Sequence, residues 1–186
     1  MNIPNALTCL RIVLAFVLLF LLFLNGLPAK ILALAVFVAA SLTDYWDGKL
    51  ARSSGQITVF GKFMDPIADK FLTLSAFIGF TQKGLILPWM VLLVVARDFL
   101  ITGIRLTIPP KGNLHAARAS GKNKTALQFV FIHLVLVFLV FRETLFWNPT
   151  WEAAVRVAIH GAMGLVVVVT LWSGANYLIK NRELFA

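Results

Sequence analysis

Apolar residues run through this chain in segments long enough to cross a lipid bilayer, and no other feature limits its fold so strongly. A hydrocarbon core about 30 Å thick is crossed by roughly 20 mostly apolar residues in a helix. Six segments fit that requirement: 6–26, 30–52, 61–82, 86–107, 124–143 and 152–178. Turn-forming residues separate them, at Asn25-Gly26-Leu27-Pro28, Lys83-Gly84, Pro109-Pro110 with Gly112, and Asn148-Pro149. The chain is 60% hydrophobic and 13% charged, whereas a soluble domain carries about 25% charged residues. A water-facing enzyme and a disordered chain are therefore excluded. Cys9 is the single cysteine, which leaves no intramolecular disulfide and no Cys-rich metal site. The expected fold is an all-α integral membrane protein, one domain over residues 1–186.

Charge sets the orientation. The chain has 17 Lys and Arg against 8 Asp and Glu, a net charge of +9. A basic excess also suits nucleic-acid binding, but nucleic-acid domains are not built from uninterrupted Leu, Val and Phe runs, so no nucleic-acid partner is expected. With six alternating spans and a cytoplasmic N-terminus, only Lys30, Lys83, Arg142 and Arg156 fall on the outer side. Cytoplasmic loops collect Lys and Arg, so both termini are expected in the cytoplasm and the protein in the inner, cytoplasmic membrane as a multi-pass chain. The first segment carries Arg11 as its one basic residue and lacks a small-x-small cleavage site, so it reads as a retained span.

The spans are not uniformly apolar. Stretches 31–42 and 85–96 are uncharged for only half the required length, so each span must take in charged residues at its cytoplasmic end. Lys and Arg can snorkel to the headgroups, as expected of Lys30, Arg156 and Lys180. Carboxylates have stems too short for that. Several helices charged at the same end imply a polar cavity, and hence an active site, at the cytoplasmic interface.

Asp44, Asp47, Asp65 and Asp69 make up half of the 8 acids in the chain. Asp44 and Asp47 are at i,i+3 and Asp65 and Asp69 at i,i+4, so each pair shares one helix face. A short connection around Ser53–Phe60 is expected to bring the two helices together antiparallel. Four carboxylates this close need compensating charge, and an all-oxygen donor set suits a hard divalent cation. Two ions about 3.5–4 Å apart form the clamp used in phosphoryl displacement. Gly48 and Gly61 lack side chains and let a diphosphate approach the backbone. The competing reading is a set of ion pairs with Lys49, Arg52, Lys62 and Lys70; helical repetition of the acids favours the metal site.

The run Asp44-Tyr-Trp-Asp47-Gly48-Lys-Leu-Ala51-Arg52, eight residues, Gly61, three residues, Asp65, three residues, Asp69 resembles the signature of the CDP-alcohol phosphotransferase family at every specified position and gap. The resemblance implies six transmembrane helices, a homodimer, and transfer of a substituted phosphate from a CDP-alcohol to a hydroxyl with release of CMP. It implies Asp44, Asp47, Asp65 and Asp69 as ligands of Mg²⁺ or Mn²⁺, two ions, and Asp69 as the general base. Asp44, Gly48, Ala51, Arg52, Gly61 and Asp65 are then expected to bind the CDP moiety.

Other blocks resemble the bacterial branch of that family whose acceptor is glycerol 3-phosphate. They are Asn2–Arg11, Phe60–Lys70, Ala96-Arg97-Asp98-Phe99, Gly103-Ile104-Arg105, and Ser120–Thr125 with Gln128. Asp98 departs from that pattern, where a Glu is expected. The implied reaction moves the phosphatidyl group of CDP-diacylglycerol onto glycerol 3-phosphate, a step of phospholipid biosynthesis. The chemistry asks independently for cations to hold a dianionic phosphate, and Arg97, Arg105, Arg118, Lys122 and Lys124 are the candidates. Asn5, Thr8 and Arg11 are candidates for the rim. The remaining alternatives are another acceptor (inositol phosphate, serine or a second lipid) and a cation-coupled transporter. Inverted repeats would favour a transporter, and no second Asp-rich half exists near Glu143–Lys180. His133 and His160, alone on apolar stretches, are expected to be packed residues or interhelical hydrogen bonders.

Overall fold

A computed structural model of the chain describes the backbone of residues 3–54, 59–107, 115–144 and 148–180, with side chains described outside 1–5, 44–63, 65, 107–123, 149 and 181–186. Among the described residues there are six helices and no strand: α1 (Ile3–Phe23), α2 (Leu27–Ser54), α3 (Val59–Gln82), α4 (Pro88–Thr107), α5 (His115–Thr144) and α6 (Pro149–Lys180). In lipid a spanning chain must satisfy its backbone internally, which selects helices. α1, α5 and α6 contain windows long and apolar enough to cross a membrane, while α2 has a shorter apolar part, Leu27–Thr43.

The helices stop where the sequence changes the backbone chemistry. Gly26 and Gly84 take positive φ, 95° and 66°, a conformation that costs glycine least. Asn148 caps α6: its carboxamide oxygen accepts from the Thr150 N–H at 3.1 Å, and Pro149 occupies the first helical position. The main difference from expectation is α5, which begins at His115 rather than near 124. Hydropathy marks the part of a helix that lies in lipid, not where its hydrogen bonding starts. Arg118 and Lys122 are therefore helical residues and not part of a loop.

Specific contacts give the helix directions. α1 and α3 run parallel, since Leu22 meets Gly79 at one end and Arg11 meets Asp69 at the other. α3 and α4 are antiparallel, with Phe77 near Val94 and Lys70 near Asp98. α4 and α6 run parallel through Arg97–Ser173 and Arg105–Tyr177. The bundle thus alternates up and down, and the basic residues separate as the sequence implied. Lys30, Lys83, Arg142 and Arg156 lie at one end; Arg11, Lys70, Arg97, Arg105 and Lys124 lie towards the other.

The principal packings among the described residues are α1 with α2 and α3, α2 with α5, α3 with α4 and α5, and α6 with α4 and α5. They describe two four-helix groups, α1-α2-α5-α3 and α3-α4-α6-α5, that share the α3–α5 edge. Phe77 stacks on Phe131 across that edge, ring centroids 6.2 Å apart, and Phe37 meets Phe129 at 5.6 Å. α3 packs chiefly on α1; the expected α2–α3 contact between the two Asp pairs falls on side chains that, Asp69 apart, lie outside the described residues. Large apolar side chains such as Phe20, Leu92, Val157 and Trp172 remain on the outside, as lipid-facing positions require. Trp89 and Trp151 are exposed at the less basic end, consistent with an aromatic belt; Trp147 lies outside the described residues.

Several polar side chains inside the bundle are satisfied locally. Ser41, Thr73 and Thr81 donate to carbonyls one turn back, a pairing open to hydroxyls in helices. His133 Nδ1 and His160 Nδ1 sit 2.8 and 2.7 Å from the carbonyls of Phe129 and Arg156 one turn back, so these bonds are made within each helix rather than between helices as expected. Two cations expected to snorkel behave otherwise. Lys30 is 1% exposed and its ammonium donates to the carbonyls of Leu22 and Leu24, closing the C-terminal end of α1. Arg156 pairs with Glu152 at 2.9 Å and donates to the Lys83 and Gly84 carbonyls, so it caps α3. Helix-end carbonyls with no intrahelical partner are strong acceptors, and both cations reach such carbonyls within the protein.

Candidate active site

The four Asp residues of the signature occupy the C-terminal half of α2 and the N-terminal half of α3. Four residues, 55–58, separate these helix ends. At 1.5 Å rise per residue, Asp44 lies about 15 Å before the end of α2 and Asp69 about 15 Å beyond the start of α3. Asp47 and Asp65 are each about 10 Å from the same ends. Since α2 and α3 run antiparallel, the two pairs stand at matching heights on either side of the connection. The side chains of Asp44, Asp47, Gly48, Ala51, Arg52, Gly61 and Asp65 lie outside the described residues.

Asp69 is described, and it is not isolated. Arg11 Nη1 donates to Asp69 Oδ1 at 3.2 Å. Arg11 is wholly buried, whereas the Asp69 side chain is 32% exposed. The guanidinium is thus the packed, fixed partner, and the carboxylate is the partly accessible one. Thr8, buried one turn before Arg11 on α1, belongs to the same wall; Asn5 lies outside the described side chains. Of the four carboxylates expected to hold a divalent cation, Asp69 is the one whose side chain is described, and it remains partly accessible.

The second four-helix group has its own charged centre. Asp98 on α4 is 3% exposed and meets Lys124 Nζ and Arg97 Nη1, the latter at 3.1 Å, through Oδ1. Its Oδ2 lies 3.7 Å from Lys70 Nζ and accepts from Gln128 Nε2 at 3.4 Å. A carboxylate can accept several donors at once. Here they come from α3, α4 and α5. Arg97 then reaches α6, donating to Ser173 Oγ at 3.0 Å. The path lies over Gly174, where an added Cβ would stand 3.0 Å from Arg97 Cγ and Nε. Arg105 lies with its guanidinium carbon 4.8 Å from the centroid of the Tyr177 ring, a cation–π contact.

The expected phosphate-binding residues therefore divide. Arg97 and Arg105 share the α6 side of α4, as their spacing of eight implied. Lys124 is buried and paired with Asp98. Arg118 and Lys122 are on α5 one turn apart, with side chains outside the described residues. Sequence reasoning missed the coordinating place of Asp98 and the parts played by Ser173 and Tyr177. Asp98 did carry a signal, being a carboxylate in an otherwise apolar stretch. Ser173 and Tyr177 carry none, because they lie more than 70 residues from the arginines they meet.

Comparison with known proteins defines the class. Residues 1–172 match the family model for CDP-alcohol phosphatidyltransferases, and the chain belongs to that family. Among its relatives is the CDP-diacylglycerol--glycerol-3-phosphate 3-phosphatidyltransferase of Bacillus subtilis (strain 168), 35% identical over 98% of this chain and 96% of the relative. A probable phosphatidylglycerophosphate synthase of Mycobacterium tuberculosis is 37% identical over 96% of this chain and 81% of that protein. The Shigella flexneri CDP-diacylglycerol--glycerol-3-phosphate 3-phosphatidyltransferase is 35% identical over 97% and 95%.

Proposed function

We propose that the chain transfers the phosphatidyl group of CDP-diacylglycerol to the primary hydroxyl of glycerol 3-phosphate, releasing CMP, as a single six-span domain. The observation that carries this reading is the convergence of the Asp-bearing helix ends, the Arg11–Asp69 pair and the Lys70–Arg97–Lys124 cluster at one end of the bundle. Relatives bearing that activity's name cover nearly the whole chain. The basic end would face the cytoplasm with both termini, in the inner membrane, and the protein would work as a homodimer.

Asp69 accepts the proton of the acceptor hydroxyl, held in place by Arg11. The acceptor oxygen forms a bond to the phosphorus bearing diacylglycerol as the bond from that phosphorus to the CMP oxygen breaks. Gly48, Ala51, Arg52 and Gly61, with Asp44 and Asp65, line the CDP site. Asp44, Asp47, Asp65 and Asp69 would hold two Mg²⁺ or Mn²⁺ ions, which when bound supply charge neutralisation for the diphosphate. Arg97, Arg105, Arg118, Lys122 and Lys124 supply the positive charge that a phosphate-bearing acceptor needs and that serine does not.

The test is CMP release from CDP-diacylglycerol by purified protein with Mn²⁺, with glycerol 3-phosphate, inositol phosphate or serine as the competing acceptor. Glycerol 3-phosphate is expected to be the preferred acceptor. A folded Asp69→Asn variant is expected to lose at least 100-fold in rate, the lower end of what a general base contributes (~10²–10⁴). Full activity of that variant refutes the assignment of the base.

A further inference from the structure

We infer that Asp98 is a positioning residue of the acceptor site: it touches no substrate, and acts by holding Lys70 and Lys124 in place at the edge shared by the two four-helix groups. This rests on the reading of a phosphate-bearing acceptor. Three cations, Lys70, Arg97 and Lys124, surround one carboxylate, so among the described residues the group keeps two positive charges in excess. A buried surplus of that sign is costly unless an anion completes it, and a phosphate dianion has the matching charge. Arg97 Nε is also buried with no hydrogen-bond partner among the described residues, so the cluster retains donor capacity beyond what Asp98 accepts.

Geometry gives Asp98 its leverage. Lys70 follows Asp69 directly in α3, so one residue of α3 meets α1 through Arg11 and the next meets α4 through Asp98. Lys124 and Gln128, one turn apart on α5, close on the same carboxylate. A small cavity between α3 and α4 is lined in part by Lys70, Thr73, Phe77 and Asp98. Without the carboxylate, like charges on α3, α4 and α5 repel, and the ammonium groups lose the common acceptor that fixes their direction. Arg97 keeps an anchor of its own in Ser173. The lysines have no such alternative anchor among the described residues, so they are the groups that Asp98 places.

The experiment compares wild type with Asp98→Glu, Asp98→Asn and the double variant Asp98→Asn/Lys124→Gln in detergent. It measures KM and kcat for each substrate alongside thermal midpoints with and without inorganic phosphate. Asp98→Asn is expected to raise KM for glycerol 3-phosphate at least tenfold, with KM for CDP-diacylglycerol within twofold. Asp98→Glu is expected to stay within threefold of wild type for both. The double variant, which leaves no uncompensated charge from the pair, is expected to regain stability while its acceptor KM stays raised. An acceptor KM within twofold of wild type in either Asn-bearing protein overturns the inference, as does an equal change in both KM values. Should Asp98→Asn fail to fold, the double variant is compared with Lys124→Gln alone, and equal acceptor KM values in those two overturn the inference. Failure of wild type to use glycerol 3-phosphate would instead overturn the acceptor reading. In that case, weaker stabilisation of the double variant than of Lys124→Gln by inorganic phosphate supports the role of Asp98, and equal stabilisation of the two refutes it.

Discussion

Replacing Gly79 by Ala tests how closely the bundle must pack for its active end to form. A Cβ built at Gly79 falls into the side chain of Leu22, 2.8 Å from Leu22 Cβ and 3.1 Å from its Cγ. Ordinary carbon contacts lie near 3.5–4.0 Å, so α1 and α3 must separate by roughly 1 Å. Repacking a filled core around an extra methyl costs about 1–3 kcal/mol, which lowers the thermal midpoint by about 2–4 °C per kcal/mol for a chain of this size. A drop of roughly 4–8 °C is therefore expected for about 2 kcal/mol. The same two helices carry Arg11 and Asp69, whose 3.2 Å contact leaves little room for a shift of that size. The rate of CMP release should consequently fall along with stability. Leu22→Ala alone opens a cavity and costs about 2–5 kcal/mol. Combined with Gly79→Ala, its cost should be less than additive, because the Leu22 atoms beyond Cβ are no longer there to be struck. Thermal unfolding in detergent, with CMP release on the same preparations, measures both effects. Additivity of the two substitutions within about 0.5 kcal/mol, the agreement expected of independent sites, would refute close packing of α1 on α3 at this level.

Three further outcomes are expected. Removing divalent cations with a chelator should abolish CMP release, and adding back Mg²⁺ or Mn²⁺ should restore it; activity that survives chelation counts against the metal site. Lys30→Met removes the donor to the Leu22 and Leu24 carbonyls and should cost about 1–3 kcal/mol, the penalty of leaving buried acceptors unmade, with kcat unchanged because Lys30 lies at the opposite end from Asp69. In a Cys9→Ser background, single cysteines at Lys83 and Lys180 should label from opposite faces of sealed vesicles, and labelling from one face would contradict the alternating bundle.

Much of the fold was legible from the chain alone because its information is local. Apolar stretches between turn residues marked the six helices, of which three are long and apolar enough to cross a membrane among the described residues, and Gly26, Gly84 and Asn148 marked helix ends. Those signals depend on neighbouring residues and the backbone, so they need no tertiary structure. The family signature is also local, since Asp44 through Asp69 depend only on helical repetition and one short connection. Local reading failed where polar groups had to choose partners. Lys30 and Arg156 looked like snorkelling cations, yet each donates to carbonyls exposed at helix ends. The start of α5 was placed late because hydropathy reports contact with lipid rather than hydrogen bonding.

The sequence by itself thus determined the solvent, the helices, the alternation of charge between the two ends, and the spacing of the carboxylates. Each of these follows from period, length or composition. Tertiary structure alone decided which charges meet. Arg11 finds Asp69 because α1 and α3 run parallel around the Leu22–Gly79 approach. Asp98 gathers Lys70, Arg97 and Lys124 because α3, α4 and α5 converge at one level. Ion pairs between distant residues depend on helix order and rotation, and those are set by packing summed over whole helix faces. No short stretch of sequence records that sum.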